Sequence, residues 1–122
     1  MSVRQRQIVE VAFRLPPDGK AMNHPCVVLS NNEINNEEQG FVAVMMTSEP
    51  RYKDDLYSFE VSDNMLTKPH RKSFCAVRLH LIGNFLYDDV IPNSNSGTEM
   101  KIDTFNRMLT QINRITFEFP RP

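Results

Sequence analysis

Short apolar runs of strand length, each cut off by proline, glycine or charge, recur along most of the chain, and the period changes to that of a helix only near the C-terminus. No other feature limits the possible folds as much. In Gln7–Phe13, Val9, Val11 and Phe13 alternate with Ile8, Glu10 and Ala12, the period of a strand. Pro16, Pro17, Asp18 and Gly19 break it with turn chemistry. Cys26–Ser30 is a second strand candidate, and the polar stretch Asn31–Gly40 reads as a loop with room for one helical turn. Phe41–Thr47 is a third, strongly buried strand, followed by a charged loop over Glu49–Asp55. Tyr57, Phe59 and Val61 alternate as a fourth strand. Phe74–Leu81 makes a fifth, with Cys75, Val77, Leu79 and Leu81 on one face and Ala76, Arg78 and His80 on the other. Phe85–Ile91 suggests a sixth. Phe105, Met108, Leu109, Ile112 and Ile115 then fall at helical spacing, with Asp103 as the expected N-cap. The reading is a single mainly β domain over residues 1–122, a small barrel with a C-terminal amphipathic helix packed on it.

Composition narrows the function classes. The formal net charge of −1 supplies no bulk attraction for a polyanion, so nucleic-acid binding requires a local basic patch. One weak cluster exists, Lys68, His70, Arg71 and Lys72, and a charge run of this kind usually forms a solvated turn. The longest apolar run, Phe41–Met46, falls far short of the ~20 residues that a membrane span needs. The N-terminal MSVRQRQ has no apolar stretch behind its arginines, so the expected location is the cytoplasm. Cys26 and Cys75 are too few for a disulfide scaffold and read as reduced core thiols.

Spacing alone gives no strong catalytic signature. The four glycines, at 19, 40, 83 and 97, are scattered, and neither a phosphate loop nor a nucleophile elbow is present. His70, Cys75 and His80 are spaced by five, which matches none of the usual zinc pairs, so no metal is expected. More informative are polar residues emerging from apolar strands. Thr47 and Ser48 close the third strand, Arg78 and His80 project from one face of the fifth, and His24 precedes Pro25. Such a set offers an acid or base, a cation and a hydroxyl, which cleavage of RNA by its own 2′-hydroxyl requires. Each residue also has a plain structural reading: a solvated arginine, a surface histidine, a threonine suited to a strand end.

The order of these features resembles the PemK/MazF (Kid) toxin family of the CcdB/PemK superfamily. The likeness rests on Gln7–Phe13, then Pro17-Asp18-Gly19, then His24-Pro25-Cys26-Val27-Val28-Leu29-Ser30-Asn31, then Phe41 to Thr47-Ser48, and more loosely on Val77-Arg78-Leu79-His80 and the terminal helix. The resemblance implies an SH3-like barrel acting as a homodimer: a metal-free, cofactor-free endoribonuclease of the mRNA-interferase type, cutting single-stranded RNA and neutralised by a small antitoxin. Carried over by position, Thr47 and Ser48 would contact the phosphate and Arg78 would supply the cation. His80 takes the place where an acidic residue is common, and His24 the place of an arginine before proline. Arg51, Tyr52 and Lys53 in the following loop would hold flanking nucleotides, with Lys20 adding a basic contact. The alternative is a catalytically degenerate or CcdB-like protein-binding module on the same fold.

Overall fold

A computed structural model describes residues 2–16, 18–94 and 97–118. Five antiparallel strands form one sheet in the order β1-β2-β3-β5-β4. They are β1 (Ile8–Arg14), β2 (Ala21–Val28), β3 (Gly40–Thr47), β4 (Ser58–Glu60) and β5 (Ala76–Leu86), with helices α1 (Asn32–Glu38) and α2 (Ile102–Ile112). The mainly β reading with a C-terminal amphipathic helix therefore holds. Pro17 of the expected turn lies outside the described residues. Within that turn Asp18 accepts from the Lys20 N–H at 2.9 Å, and Gly19 takes φ +71°, which favours a residue without Cβ.

Several boundaries differ from the sequence reading, each for a physical reason. β2 begins at Ala21 rather than Cys26, so His24 and Pro25 lie inside a strand. Pro25 is tolerated because β2 pairs with β3 only over 26–28; at Pro25 the strand has β1 alone as neighbour. The fifth and sixth candidates are one strand: β5 starts at Ala76, runs through Gly83 and Phe85 to Leu86, and a 3₁₀ turn over Tyr87–Asp89 ends it. The expected single turn after Ser30 is a seven-residue helix, capped by the Asn31 side chain accepting from the Ile34 N–H at 2.9 Å. Lys101, not Asp103, is the N-cap of α2; Asp103 sits in the first turn, where its carboxylate favours the positive end of the helix dipole.

β5 carries an irregularity that matters for function. Its ladder with β3 skips from Ile82 to Val77 while β3 moves only from Val44 to Met46, so β5 bulges over 78–81. The bulge explains why the expected common face breaks. Cys75, Val77 and Leu79 enter the core under α2, whereas Leu81 packs into the core on the opposite face. The first of these cores joins Val27, Val44, Met46 and Val77 to Phe105, Met108 and Ile112 of α2. The second gathers Val9, Val11, Cys26, Val28 and Met45 beneath Val3, Tyr87 and Val90.

β1 and β4 form the two edges, and residues 98–101 stitch across the gap beside them. Single bridges pair Gln7 with Glu99 and Leu66 with Met100. Met100 donates to the Arg6 carbonyl at 2.8 Å, Lys101 to Met65 at 2.9 Å, and Thr67 to Glu99 at 2.9 Å. The sheet curls into a barrel-like shape bridged at this seam rather than closed by a full ladder.

Candidate functional site

A cleft of about 430 Å³ opens where β3 ends, within the size range of small-molecule sites. Thr47, Ser48 and Glu49 form one side, His24, Pro25 and Glu10 another, and Lys68, His70 and Lys72 a third. Thr47 is buried, and its Oγ1 accepts from the Glu49 N–H at 3.1 Å. A hydroxyl that accepts one bond keeps its own proton and a second lone pair for a ligand. Ser48 is exposed beside it.

The basic wall is more ordered than a solvated charge run. Asp63 Oδ1 accepts from the backbone N–H of His70 at 3.0 Å and of Arg71 at 3.3 Å. The Nδ1 of His70 accepts from the Lys72 N–H at 2.9 Å, leaving Nε2 to carry the proton and donate to the Val61 carbonyl at 2.8 Å. His70 is thus a structural pin, with both ring nitrogens engaged, and it fixes the loop from which Lys68 and Lys72 project. Read from sequence, these lysines are only a charge run; their place on the cleft depends on the seam, which joins segments far apart in the chain.

A second cluster lies on β5 and the segment that leads into β4. Thr47 pairs with Ala76, and Arg78, two residues on from Ala76, pairs with Ser58 of β4. Arg78 is only 7% exposed. Its Nη1 donates to Asp55 Oδ1 at 3.0 Å and to Ser58 Oγ at 2.7 Å, and its guanidinium carbon lies 4.1 Å from the Tyr52 ring centroid. Asp55 also accepts from the Tyr57 N–H at 2.8 Å. That backbone bond, then Arg78, holds its carboxyl below the usual range. His80 is exposed but has its ring against Tyr57, 5.0 Å between centroids. Partial desolvation, then the Arg78 charge, lowers its pKa, while Asp55 pulls the other way. The result is an imidazole biased toward its neutral form beside a fixed cation.

The structure therefore divides the sequence candidates. Thr47, Ser48 and His24 meet on the cleft; Arg78 meets Tyr52 and lies near His80 on the same strand, with the Arg51 guanidinium carbon 4.8 Å from the same Tyr52 ring centroid. Lys53 ends the 3₁₀ turn Pro50–Tyr52, exposed, and Lys20 lies exposed in the β1–β2 turn. The Nε2 of His24 is buried without a hydrogen-bond partner among the described residues, so a ligand reaches it only after the ring turns. Sequence reasoning gave no individual role to Asp55, Ser58, Lys68 or Lys72. Among the described residues no group of three or more His, Cys, Asp or Glu side chains is placed to hold a metal ion.

Residues 4–86 match the family of PemK-like, MazF-like toxins of type II toxin–antitoxin systems, and the chain belongs to that family. Its fold is similar to that of an endoribonuclease from a mycobacterial species, at 16% identity and TM-score 0.68 over 100% of this chain and 97% of that one. It is also similar to MazF from Deinococcus radiodurans, at 12% identity and TM-score 0.69 over 94% and 96%. A mycobacterial endoribonuclease in complex with its cognate antitoxin matches at 17% identity and TM-score 0.66, over 99% and 100%. At such identities the likeness speaks for the fold. No curated protein matches the chain in sequence. No helix among the described residues is long and apolar enough to cross a membrane.

Proposed function

We propose that the protein is a metal-independent endoribonuclease that cuts single-stranded RNA by attack of a 2′-hydroxyl on the adjacent phosphate. The observation that carries the reading is that a buried hydroxyl, Thr47, lining a cleft with a lysine wall, pairs with Ala76 on the strand that carries a fixed cation, Arg78, and a histidine, His80, whose pKa partial burial and that cation hold down. Neutral His80 takes the 2′-hydroxyl proton. The 2′-oxygen bonds to phosphorus and the bond to the 5′-oxygen breaks, leaving a 2′,3′-cyclic phosphate. Arg78 is the second member of the proton pair: it stabilises the charge on the pentacoordinate phosphate and donates to the departing oxygen. Thr47 and Ser48 position the phosphate. Lys68 and Lys72, with Lys20, Arg51 and Lys53 further out, hold the flanking backbone, and Tyr52 offers a face for a base. His24 serves as an auxiliary acid or base once its ring has turned.

The family, and the solved MazE–MazF complex from Deinococcus radiodurans, support a small antitoxin as partner. We extend the reading to a homodimer working in the cytoplasm without a cofactor. The test is incubation of wild type, Arg78→Ala and His80→Ala with a long mixed-sequence single-stranded RNA in chelator. Wild type should give discrete products bearing 2′,3′-cyclic phosphate, and each variant should lose about 10²–10⁴-fold in rate while keeping its far-UV spectrum. Intact RNA from folded wild type would reject catalysis and turn attention to protein binding on the same fold.

A further inference from the structure

Arg78 carries a full charge yet is nearly closed to solvent, and what closes it is one short segment upstream. Residues 50–57 fold on themselves through Tyr52 N–H to Glu49, Lys53 N–H to Pro50 and Ser58 N–H to Asp55, each at 3.1 Å. The outward side chains of the segment are exposed: Arg51, Lys53, Asp54 and Leu56, with Asp54 at φ 61°. The inward ones grip Arg78. Asp55 takes a guanidinium N–H at 3.0 Å and Tyr52 covers the guanidinium at 4.1 Å. A carboxylate oxygen accepting from guanidinium does what a phosphate oxygen does. The pair uses one oxygen and one nitrogen, with the Asp55 side chain 34% exposed, so a competing anion can displace it.

We propose that residues 50–57 are an autoinhibitory lid, in which Asp55 occupies the phosphate position on Arg78 and Tyr52 caps the cation until RNA displaces both. The inference rests on the reading of Arg78 as the phosphate-binding cation. Closed, the lid shields the cation from stray anions; opened, it frees the ring of Tyr52 for a base and exposes Arg78 beside His80.

The experiment separates the lid from that reading. Wild type, Asp55→Asn and Asp54→Asn are treated with phenylglyoxal and the modified arginines mapped by peptide mass, with exposed Arg51 as internal reference. Affinity for a single-stranded oligonucleotide lacking 2′-hydroxyls is measured alongside. Asp55→Asn should label Arg78 about fivefold faster and bind the oligonucleotide about fivefold tighter, the scale of a partly exposed ion pair. Asp54→Asn, which removes the same charge from the neighbouring exposed position, should change neither by that amount. Arg78 labelling that is equal in Asp55→Asn and wild type overturns the lid, whatever the RNA result. Faster labelling with unchanged oligonucleotide affinity leaves the lid standing and removes Arg78 from RNA binding.

Discussion

At the scale of single residues, His80 shows how neighbours set a proton role. Burial of its ring edge and the Arg78 charge lower its pKa, and Asp55 opposes them. Removing the Asp55 charge takes away the one influence that raises it, so Asp55→Asn should lower the His80 pKa further. An NMR titration of the imidazole Cε1–H should show a wild-type midpoint below the ordinary ~6.5 and a lower one in Asp55→Asn, with the acid limb of kcat/KM moving the same way. An unchanged midpoint would mean that His80 does not sense Asp55, and a shift upward that losing the Asp55 contact re-solvates the ring more than it removes charge. The stability sign follows: below the ordinary value the unfolded chain binds a proton that the native histidine refuses, so stability falls with pH until the depressed native pKa is reached. The cysteines give a simpler expectation. Burial pushes the Cys26 thiol up to about 12 and Cys75 to about 11. Neither should react with iodoacetamide at pH 7.5 in the folded protein, and both should once it is unfolded. The Arg78–His80 pair was visible in the sequence because alternation puts i and i+2 on one face. Its partner Asp55 was not, because no local period links residues 23 apart.

At the scale of elements, the stripe on α2 was readable since a 3.6-residue period places Phe105, Met108 and Ile112 on one face, and all three are buried under the sheet. Leu109, also in the stripe, lies at its margin and is 36% exposed. The two leave different gaps when cut back. Phe105→Ala should cost about 3–5 kcal/mol in urea denaturation, the range for a buried aromatic, while Leu109→Ala should cost well under half as much. Equal losses would mean that Leu109 covers a partner surface that the monomer leaves bare. Where the elements depart from the sequence pattern, the cause is pairing rather than propensity. β2 contains a proline, which argues against a strand until one knows that β3 does not pair there. β5 reads as two runs in the sequence because Gly83 interrupts the alternation, whereas the strand runs on through its bulge to Leu86.

At the scale of the whole molecule, the cleft depends on a contact that no local rule anticipates. Lys68 reaches its wall because Leu66 and Thr67 are tied to residues 99–100, which are tied in turn to Arg6 and Gln7 beside β1. Arg6 strengthens this tie, its Nη1 donating to the Met100 carbonyl at 3.0 Å. The Met100 side chain is fully buried in the core beneath the seam, among Leu66, Met108 and Phe105. Cutting it to alanine removes the packing that holds the seam strands together, so Met100→Ala should cost about 2–5 kcal/mol of stability. A uniform loss of core packing would speed amide exchange everywhere in proportion to the fall in global stability. Loss at the seam should do more. The Ile8 and Thr67 amides, which donate across it to Thr98 and Glu99, should exchange faster than the β3–β5 ladder under conditions where global opening is negligible. Because the same ties carry Lys68 to the cleft, affinity for single-stranded RNA should fall in the folded variant, and its salt dependence should flatten as a phosphate contact is lost. Exchange that rises evenly, with RNA affinity unchanged, would show that the basic wall is held by its Asp63–His70 pin alone and that the seam serves only the fold.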